Sequence, residues 1–415
     1  MPQLLFYIFL DVYTLFGFRS VFMTARAKTI ATTVYVLSSI YVYYCIWAVA
    51  QVMRSGRVFS DTSANWELGI LFTAVVTKFV FSVLMSVHDG GRFLYGIGDY
   101  IKRKVGGTTR PGAPFFPSRR RFLSLLATGL AAIPFFSMLY GITKGKYQYT
   151  VSKLKLTFPD LPAAFDGFKI VQISDIHAGS FDDAEEVAKG AELINEQNPD
   201  LVVFTGDMVN SDKNEVDGFI NIFAGIKAAY GKFAVLGNHD YYGVPEEEEG
   251  ASEQDIVEYW EDFFSKYEQM GFQMLNNITR FIEKDGEKFA LTGVENWGAG
   301  RWFPKKGDLD KALTDVTDDD FCVLLSHDPS HWDEKVIPHS KKVNLTLSGH
   351  THGMQFGIKM PGFKWSPVQY RYPRWAGLYE EAQQYLYVNT GFGFLAFPGR
   401  VGMWPEITVI ELVRA

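Results

Sequence analysis

The sequence predicts a layered α/β domain preceded by an all-α transmembrane region, and three observations carry that expectation. Apolar and aromatic runs dominate the first 145 residues, whereas acidic residues gather in the remainder. From residue 168 onward, short apolar strand-like runs alternate with amphipathic helical segments, as in layered α/β folds. Five of those runs end in side chains of the kind that bind metals. The expected organisation is a membrane region over 1–145, a connector over 146–167 and the α/β domain over 168–415. At 415 residues and 47% hydrophobic content the chain can bury a large core. Its two cysteines, Cys45 and Cys322, lie in apolar runs and offer neither a disulfide framework nor a thiolate metal site.

Four apolar stretches come first: Pro2–Phe18, Ile30–Met53, Leu68–Val87 and Phe122–Ile142. The last three are long enough to cross a hydrocarbon core of roughly 30 Å. The first is short and carries Asp11, so it reads either as a tilted span or as an interfacial helix. Tyr35, Tyr41, Tyr43, Tyr44 and Trp47 read as interface anchors or helix-packing residues rather than a cofactor box. Arg19, Arg26 and Lys28 follow the first stretch, and Arg92, Lys102, Arg103, Lys104, Arg110, Arg119, Arg120 and Arg121 precede the fourth. Only Arg54 and Arg57 stand between the second and third. The positive-inside bias therefore puts the first and third loops in the cytoplasm and everything after Ile142 outside. Ser118–Leu123, SRRRFL, also has the look of a twin-arginine export signal, which sends the following domain the same way. Thr108–Pro117 is a Pro/Gly-rich loop.

In the α/β domain, strands are expected over Ile170–Ile173, Leu201–Thr205, Phe233–Leu236, Phe289–Val294, Cys322–Ser326, Leu345–Ser348, Tyr385–Asn389 and Ile407–Leu412. Helices are expected over Asp183–Glu196, opened by acids that suit its positive end, and Ser252–Met270, with Ser252 as cap and Gly271 as stop. Glu246–Glu249 reads as a solvated loop rather than a calcium site.

The ligand-type residues sit where the strands end. Ile170–Ile173 leads to Asp175-x-His177, a spacing that puts a carboxylate and an imidazole on one side of an extended chain. One such pair is a weak signal. The device recurs, however: Gly206-Asp207, Gly237-Asn238-His239-Asp240, His327 and Gly349-His350-Thr351-His352 each follow a strand. Five of the eight histidines fall in these positions, and the glycines let the backbone turn sharply beside them. His331 and His339 lie outside the pattern and read as surface residues.

The series D-x-H, GD, GNHD, H, GHTH resembles the calcineurin-like metallophosphoesterase family over Phe168 to the carboxyl terminus. That resemblance implies a β-sandwich flanked by helices, four layers in the order αββα, and a hydrolase acting on phosphoester or pyrophosphate bonds. It implies one divalent metal (Mn, Fe or Zn) held by Asp175, His177, Asp207 and His352, and a second held by Asp207, Asn238, His327 and His350. Asp207 would bridge them, and a shared carboxylate suits cations about 3.5–4 Å apart. By the same resemblance His239 serves the leaving-group oxygen, with Asp240 orienting its ring. The segments Pro361–Tyr372, Trp375–Tyr379 and Pro405-Glu406-Ile407 look closest to the membrane-associated, YaeI-like phosphodiesterase branch. Two positions depart from it: Met354 stands where a second glycine is usual, and Asn210 where an Asp often follows GD.

Trp297, Trp302, Phe303, Phe363, Trp365, Tyr370, Tyr372 and Trp375 crowd the loops near the motifs, beside Lys305, Lys306, Lys359, Arg371 and Arg374. Such loops suit contact with membrane lipids, or a cap over the sheet core. The branch and the anchor together imply a phosphorylated lipid or lipid-linked small molecule as substrate, on the extracytoplasmic side of a bacterial inner membrane. No nucleic acid is expected as a partner. A lipid-sensing module without catalysis is the alternative; a missing ligand would be its sign, and none is missing. A transporter finds little support, since the spans carry few charges beyond Asp11, Arg19 and Lys78.

Overall fold

The computed structural model describes residues 2–55, 62–106, 117–245, 251–301 and 303–415. Trp302, the acidic run Glu246–Glu249 and nearly all of the loop Thr108–Pro117 lie outside them. Two compact units result: Met1–Arg57 with Trp66–Tyr140, and Val58–Asn65 with Gly141–Ala415.

The first unit is helical, with α1 (Pro2–Arg19), α2 (Ala25–Ser55), α3 (Thr62–Lys104) and α4, which runs Pro117–Thr143 into the second unit. Residues 25–54, 65–104 and 121–143 are long and apolar enough to cross a membrane. The third helix is 43 residues long, well beyond the apolar stretch expected at Leu68–Val87. No proline interrupts it, and local backbone bonds carry it on to Gly106, whose φ of +82° marks the stop. Inside this unit Asp11 of α1 is buried and fully partnered. Its carboxylate meets Lys78 Nζ at 2.5 Å, Ser39 Oγ at 2.7 Å and the Tyr35 and Tyr43 hydroxyls at 2.9 and 3.2 Å.

The second unit contains β1 (Thr150–Phe158), β2 (Lys169–Ile173), α5 (Ala184–Glu196), β3 (Leu201–Phe204), α6 (Ile220–Ala224), β4 (Lys232–Ala234), α7 (Glu253–Gln269), β5 (Phe272–Met274), β6 (Ile278–Lys284), β7 (Glu287–Gly293), α8 (Leu309–Ala312), β8 (Cys322–Leu325), β9 (Leu345–Ser348), β10 (Ile358–Met360), β11 (Phe363–Trp365), β12 (Gly377–Glu381), β13 (Gln384–Val388) and β14 (Glu406–Arg414). One six-stranded sheet runs β1-β14-β2-β3-β4-β5 and the other β12-β13-β9-β8-β7-β6. All eight strands read from the sequence are present. The segment 146–167, expected as a connector, supplies β1, which pairs with β14 over nine residues. Lysines at 153 and 155 alternate there with inward Leu154, Leu156 and Phe158, a strand signal.

Strand alternation explains the layering. Val202, Phe204, Val171 and Ile173 face Val187 and Ile194 of α5, Phe223 of α6 and Phe263 and Tyr267 of α7. Their neighbours Ile170, Leu201 and Val203 face Phe289, Leu291, Val323, Leu325, Leu345 and Leu347 of the other sheet. The far side of that sheet, with Ala290, Cys322 and Leu324, meets Leu309 and Leu313 near α8 and Trp332. Three apolar seams therefore bind four layers, αββα. Both helices predicted from caps form as read: the Asp183 side chain accepts from Glu185 N and Glu186 N, Ser252 and Asp255 make a capping box, and Gly271 adopts φ +79° past α7. Since β2, β3 and β4 run parallel, as do β7, β8 and β9, the loops bearing the ligand-type residues all leave carboxyl ends.

Candidate metal centre

Backbone geometry at those strand ends is unusual. Asp175, His177, Asp207, His350 and His352 all have positive φ, between +49° and +71°. Left-handed non-glycine residues cost on the order of 1–3 kcal/mol each and persist only where surroundings impose them. The surroundings are visible: Asp175 N donates to Gly206 O at 2.9 Å, His177 N to Asp207 O at 3.1 Å, and His350 N to both Asp175 oxygens at 3.0 Å. A Cβ on Gly237 would strike the Asp207 carboxylate, and one on Gly349 the Ser174 hydroxyl and Asp175 carboxylate. Those two glycines let the loops close on each other. Met354, where glycine was expected, also takes φ +55° and remains exposed.

The loops bring all seven predicted ligands together. Asp175, His177 and His352 form one group, and Asp207, His327 and His350 another. His177 Nε2 lies 3.0 Å from His352 Nε2, which is 3.2 Å from Asp175 Oδ1. His350 Nδ1 lies 2.8 Å from Asn238 Oδ1 and 3.3 Å from His327 Nε2. Asp207 Oδ2 stands between the groups, 3.1 Å from His327 Nε2 and 3.6 Å from His177 Nε2. Asp175, His177, Asp207, Asn238, His327 and His352 are buried, and His350 is half-buried.

The electrostatics match a site made to hold cations. Burial opposes charge on Asp207, but His327 and His239 hold its carboxyl well below the usual range. Burial opposes charge on His327 too, yet Asp207 brings it up to about 10. His177 is pushed well below its ordinary value by burial and stays a neutral acceptor, as does His350 for the same first reason. Two carboxylates and four imidazoles packed this closely, with the Asn238 oxygen beside them, fit divalent transition metals.

His239 and Asp240 lie together but not as expected. Both are buried, and the His239 ring is held by the Asn210 carbonyl, 2.7 Å from Nδ1. The Nδ1 hydrogen is thereby committed, leaving Nε2 as the nitrogen that exchanges protons. Asp240 instead accepts from the backbone N–H groups of Gly237, Met208, Asp207 and Val209, at 2.8 to 3.3 Å. Burial raises its carboxyl to about 7. The adjacency of the two residues in sequence misleads, because successive side chains in a turn point apart; Asp240 ties the Asp207 loop to the Asn238 loop.

Other residues complete the site without any signal from spacing. Tyr372 Oη lies 2.7 Å from His350 Nε2 and Asp328 Oδ2 3.6 Å from it, so the ring edge facing away from the cluster is oriented by outer partners. The buried Arg400 places Nη2 3.2 Å from His352 Nδ1 and donates Nε–H to Gly393 O at 2.8 Å. His331, expected at the surface, is buried: its Nδ1 bonds the Ser326 hydroxyl at 2.9 Å, and burial lowers it to about 4. The loop aromatics divide. Trp375 is 4% exposed and Tyr372 serves His350, whereas Phe363 and Tyr370 are 51% and 81% exposed.

An αββα sandwich with Asp, His and Asn side chains clustered at its strand ends has the architecture of a metal-dependent phosphoesterase. Residues 168–354 match the family described as "Calcineurin-like phosphoesterase", and residues 2–146 match "Probable Calcineurin-like phosphoesterase, transmembrane domain". The chain is 30% identical over 301 residues to the uncharacterized metallophosphoesterase YkuE of Bacillus subtilis (strain 168), covering 71% of this chain and 97% of that protein. It is 28% identical over 362 residues to a Danio rerio transmembrane protein with metallophosphoesterase domain, covering 86% and 76%. Phosphodiesterase YaeI of Escherichia coli (strain K12) is 27% identical over 301 residues, covering 71% and 99%. The chain belongs to the calcineurin-like metallophosphoesterases, enzymes that use divalent metals, and it is a membrane protein with a transmembrane domain.

Proposed function

We propose that this protein is a dinuclear phosphohydrolase that cleaves a phosphoester or pyrophosphate of a lipid or lipid-linked molecule. The carrying observation is the position of Asp207 between two groups of acceptors. Asp175, His177, Asp207 and His352 would hold one cation, and Asp207, Asn238, His327 and His350 the other. When bound, two such cations supply Lewis acidity toward phosphate oxygens and lower the pKa of water. The chain's own residues do the rest. Asn210 fixes the His239 ring so that Nε2, once it has taken up a proton, can hand it to the leaving oxygen. Arg400 and Tyr372 keep His352 and His350 aimed at the cluster. Asp240 locks the loops that carry Asp207 and Asn238.

The membrane anchor supports a membrane-borne substrate, and the basic residues flanking the spans support an extracytoplasmic catalytic domain in a bacterial inner membrane. The full chain, purified in detergent, should contain manganese, iron or zinc and hydrolyse bis-para-nitrophenyl phosphate. Protein that carries no such metal, and gains no hydrolysis when any of them is added, refutes the reading. Orientation has a separate test: a fluorescent reporter that matures only in the cytoplasm, fused after Ala415, should stay dark.

A further inference from the structure

β10 and β11 form a two-stranded ribbon that joins neither six-stranded sheet. Pro361 and Gly362, the latter at φ +78°, make the turn, where proline presets one dihedral and glycine takes the positive one. Across the ribbon Met360 pairs with Phe363, Lys359 with Lys364 and Ile358 with Trp365. Alternation thus gathers Ile358, Met360, Phe363 and Trp365 on one face and the two lysines on the other.

Both faces of the ribbon are open to solvent, the apolar one included. Lys359 and Lys364 are exposed, although Lys359 Nζ meets the buried Glu406, 3.1 Å from Oε1, and Lys364 Nζ bonds the Ala376 carbonyl and the Tyr379 hydroxyl. The apolar face is exposed as well, with Ile358 45%, Met360 57% and Phe363 51% exposed and Trp365 half-buried. Met354, in the loop leading to the ribbon, is 55% exposed as well. A hairpin serving only as a solvated loop has no use for three exposed apolar side chains on one face; an exposed apolar cluster marks an interaction surface.

Backbone connections name what covers it. At the root of the ribbon Gly357 N donates to Val401 O at 2.9 Å, and Val401 N to Gln355 O at 2.7 Å. The next residue back, Arg400, donates its N–H to Gly141 O at 3.2 Å. Gly141 lies in the last turn of α4, within the apolar stretch 121–143. The ribbon is therefore rooted one residue from Gly141, in the last turn of a membrane-length helix, and that continuity favours lipid as its occupant. His350 and His352 stand in the loop that precedes it.

We propose that the β10–β11 ribbon is a membrane wedge: its tip, Met360 to Phe363, inserts among the lipids and holds the loop bearing His350 and His352 against the headgroups. Docking itself is independent of the substrate; its catalytic consequence rests on the lipid-substrate reading above.

The test uses the full chain in nanodiscs of phosphatidylethanolamine and phosphatidylglycerol with a minor fraction of phosphatidic acid. An environment-sensitive dye is attached at Met360→Cys and, as a control, at Lys189→Cys on exposed α5; Cys45 and Cys322 are buried and do not compete. Lipids bearing spin labels on their acyl chains should quench the dye at 360 and not at 189. Equal quenching at the two positions overturns the proposal, and cross-linking between ribbons without lipid quenching overturns it in favour of a second copy. Phe363→Asp should abolish quenching and slow phosphate release from phosphatidic acid in the disc on the order of tenfold, with bis-para-nitrophenyl phosphate turnover unchanged. If the unaltered protein releases no phosphate from the lipid, the substrate reading fails while quenching still decides the docking.

Discussion

Asp11 and Asp207 are both carboxylates withdrawn from water, and they are answered in opposite ways. Around Asp11 the chain supplies its own cation, Lys78, and three hydroxyls complete the shell. Around Asp207 it gathers side chains of the metal-ligand type: histidines 177 and 327 at its Oδ2, with Asp175 and histidines 350 and 352 close by. A buried pair that is internally neutral is a finished structural element. A buried set of carboxylates and imidazoles crowded this closely is the kind of site that a cation from outside completes, and such sites are where catalysis by metals is built.

Removing charge from either site separates the two cases. Asp207→Asn should cut hydrolysis by about a thousandfold or more and empty the centre, read by metal analysis beside the ester assay. Asp11→Asn should leave the metal content and the turnover per folded molecule alone. At the helical site, Lys78→Leu should lower stability by about 3–5 kcal/mol because Asp11 stays buried without its cation. Adding Asp11→Leu should recover most of the loss, as thermal melts in detergent would reveal. If the single variant melts like the unaltered protein, the pair is not closed as described.

His239→Gln sharpens the contrast within the catalytic domain: hydrolysis should fall on the order of a hundredfold or more with both metals retained. Loss of metal with loss of rate would make His239 a ligand and remove its proton-transfer role. The smallest effect concerns His331, whose buried ring titrates near 4 instead of its ordinary value. A histidine lowered by folding stabilises the fold above its unfolded pKa, about 6.5, and that contribution is lost as pH falls toward 4. Its full size is on the order of 3 kcal/mol. Denaturation midpoints between those pH values should fall less steeply in His331→Gln than in the unaltered protein.

Much of the catalytic domain is legible along the chain. Strands announce themselves by alternation or by unbroken apolar runs, and the two long helices by their capping residues, because those signals act within a few residues. The ligand residues are readable for the same reason: each is attached to the end of a recognisable strand. β1 and the β10–β11 ribbon passed unread although both alternate, since lysines in one and a Pro-Gly turn with exposed apolar residues in the other resemble linker composition. From the sequence His331 reads as a surface residue because nothing local reports that Ser326 and the Trp332 layer enclose it.

By itself the sequence determined element types, the order of the ligand-bearing loops and the presence of membrane-length apolar helices, all consequences of local periodicity and turn chemistry. Tertiary structure alone decided which atoms meet. His177 and His352 come together from 175 positions apart, Lys78 reaches Asp11 across 67, and Asn210 rather than Asp240 takes the His239 ring. Those pairings depend on how sheets and helices pack and in what register, and packing is a property of the whole chain that no short stretch of it encodes.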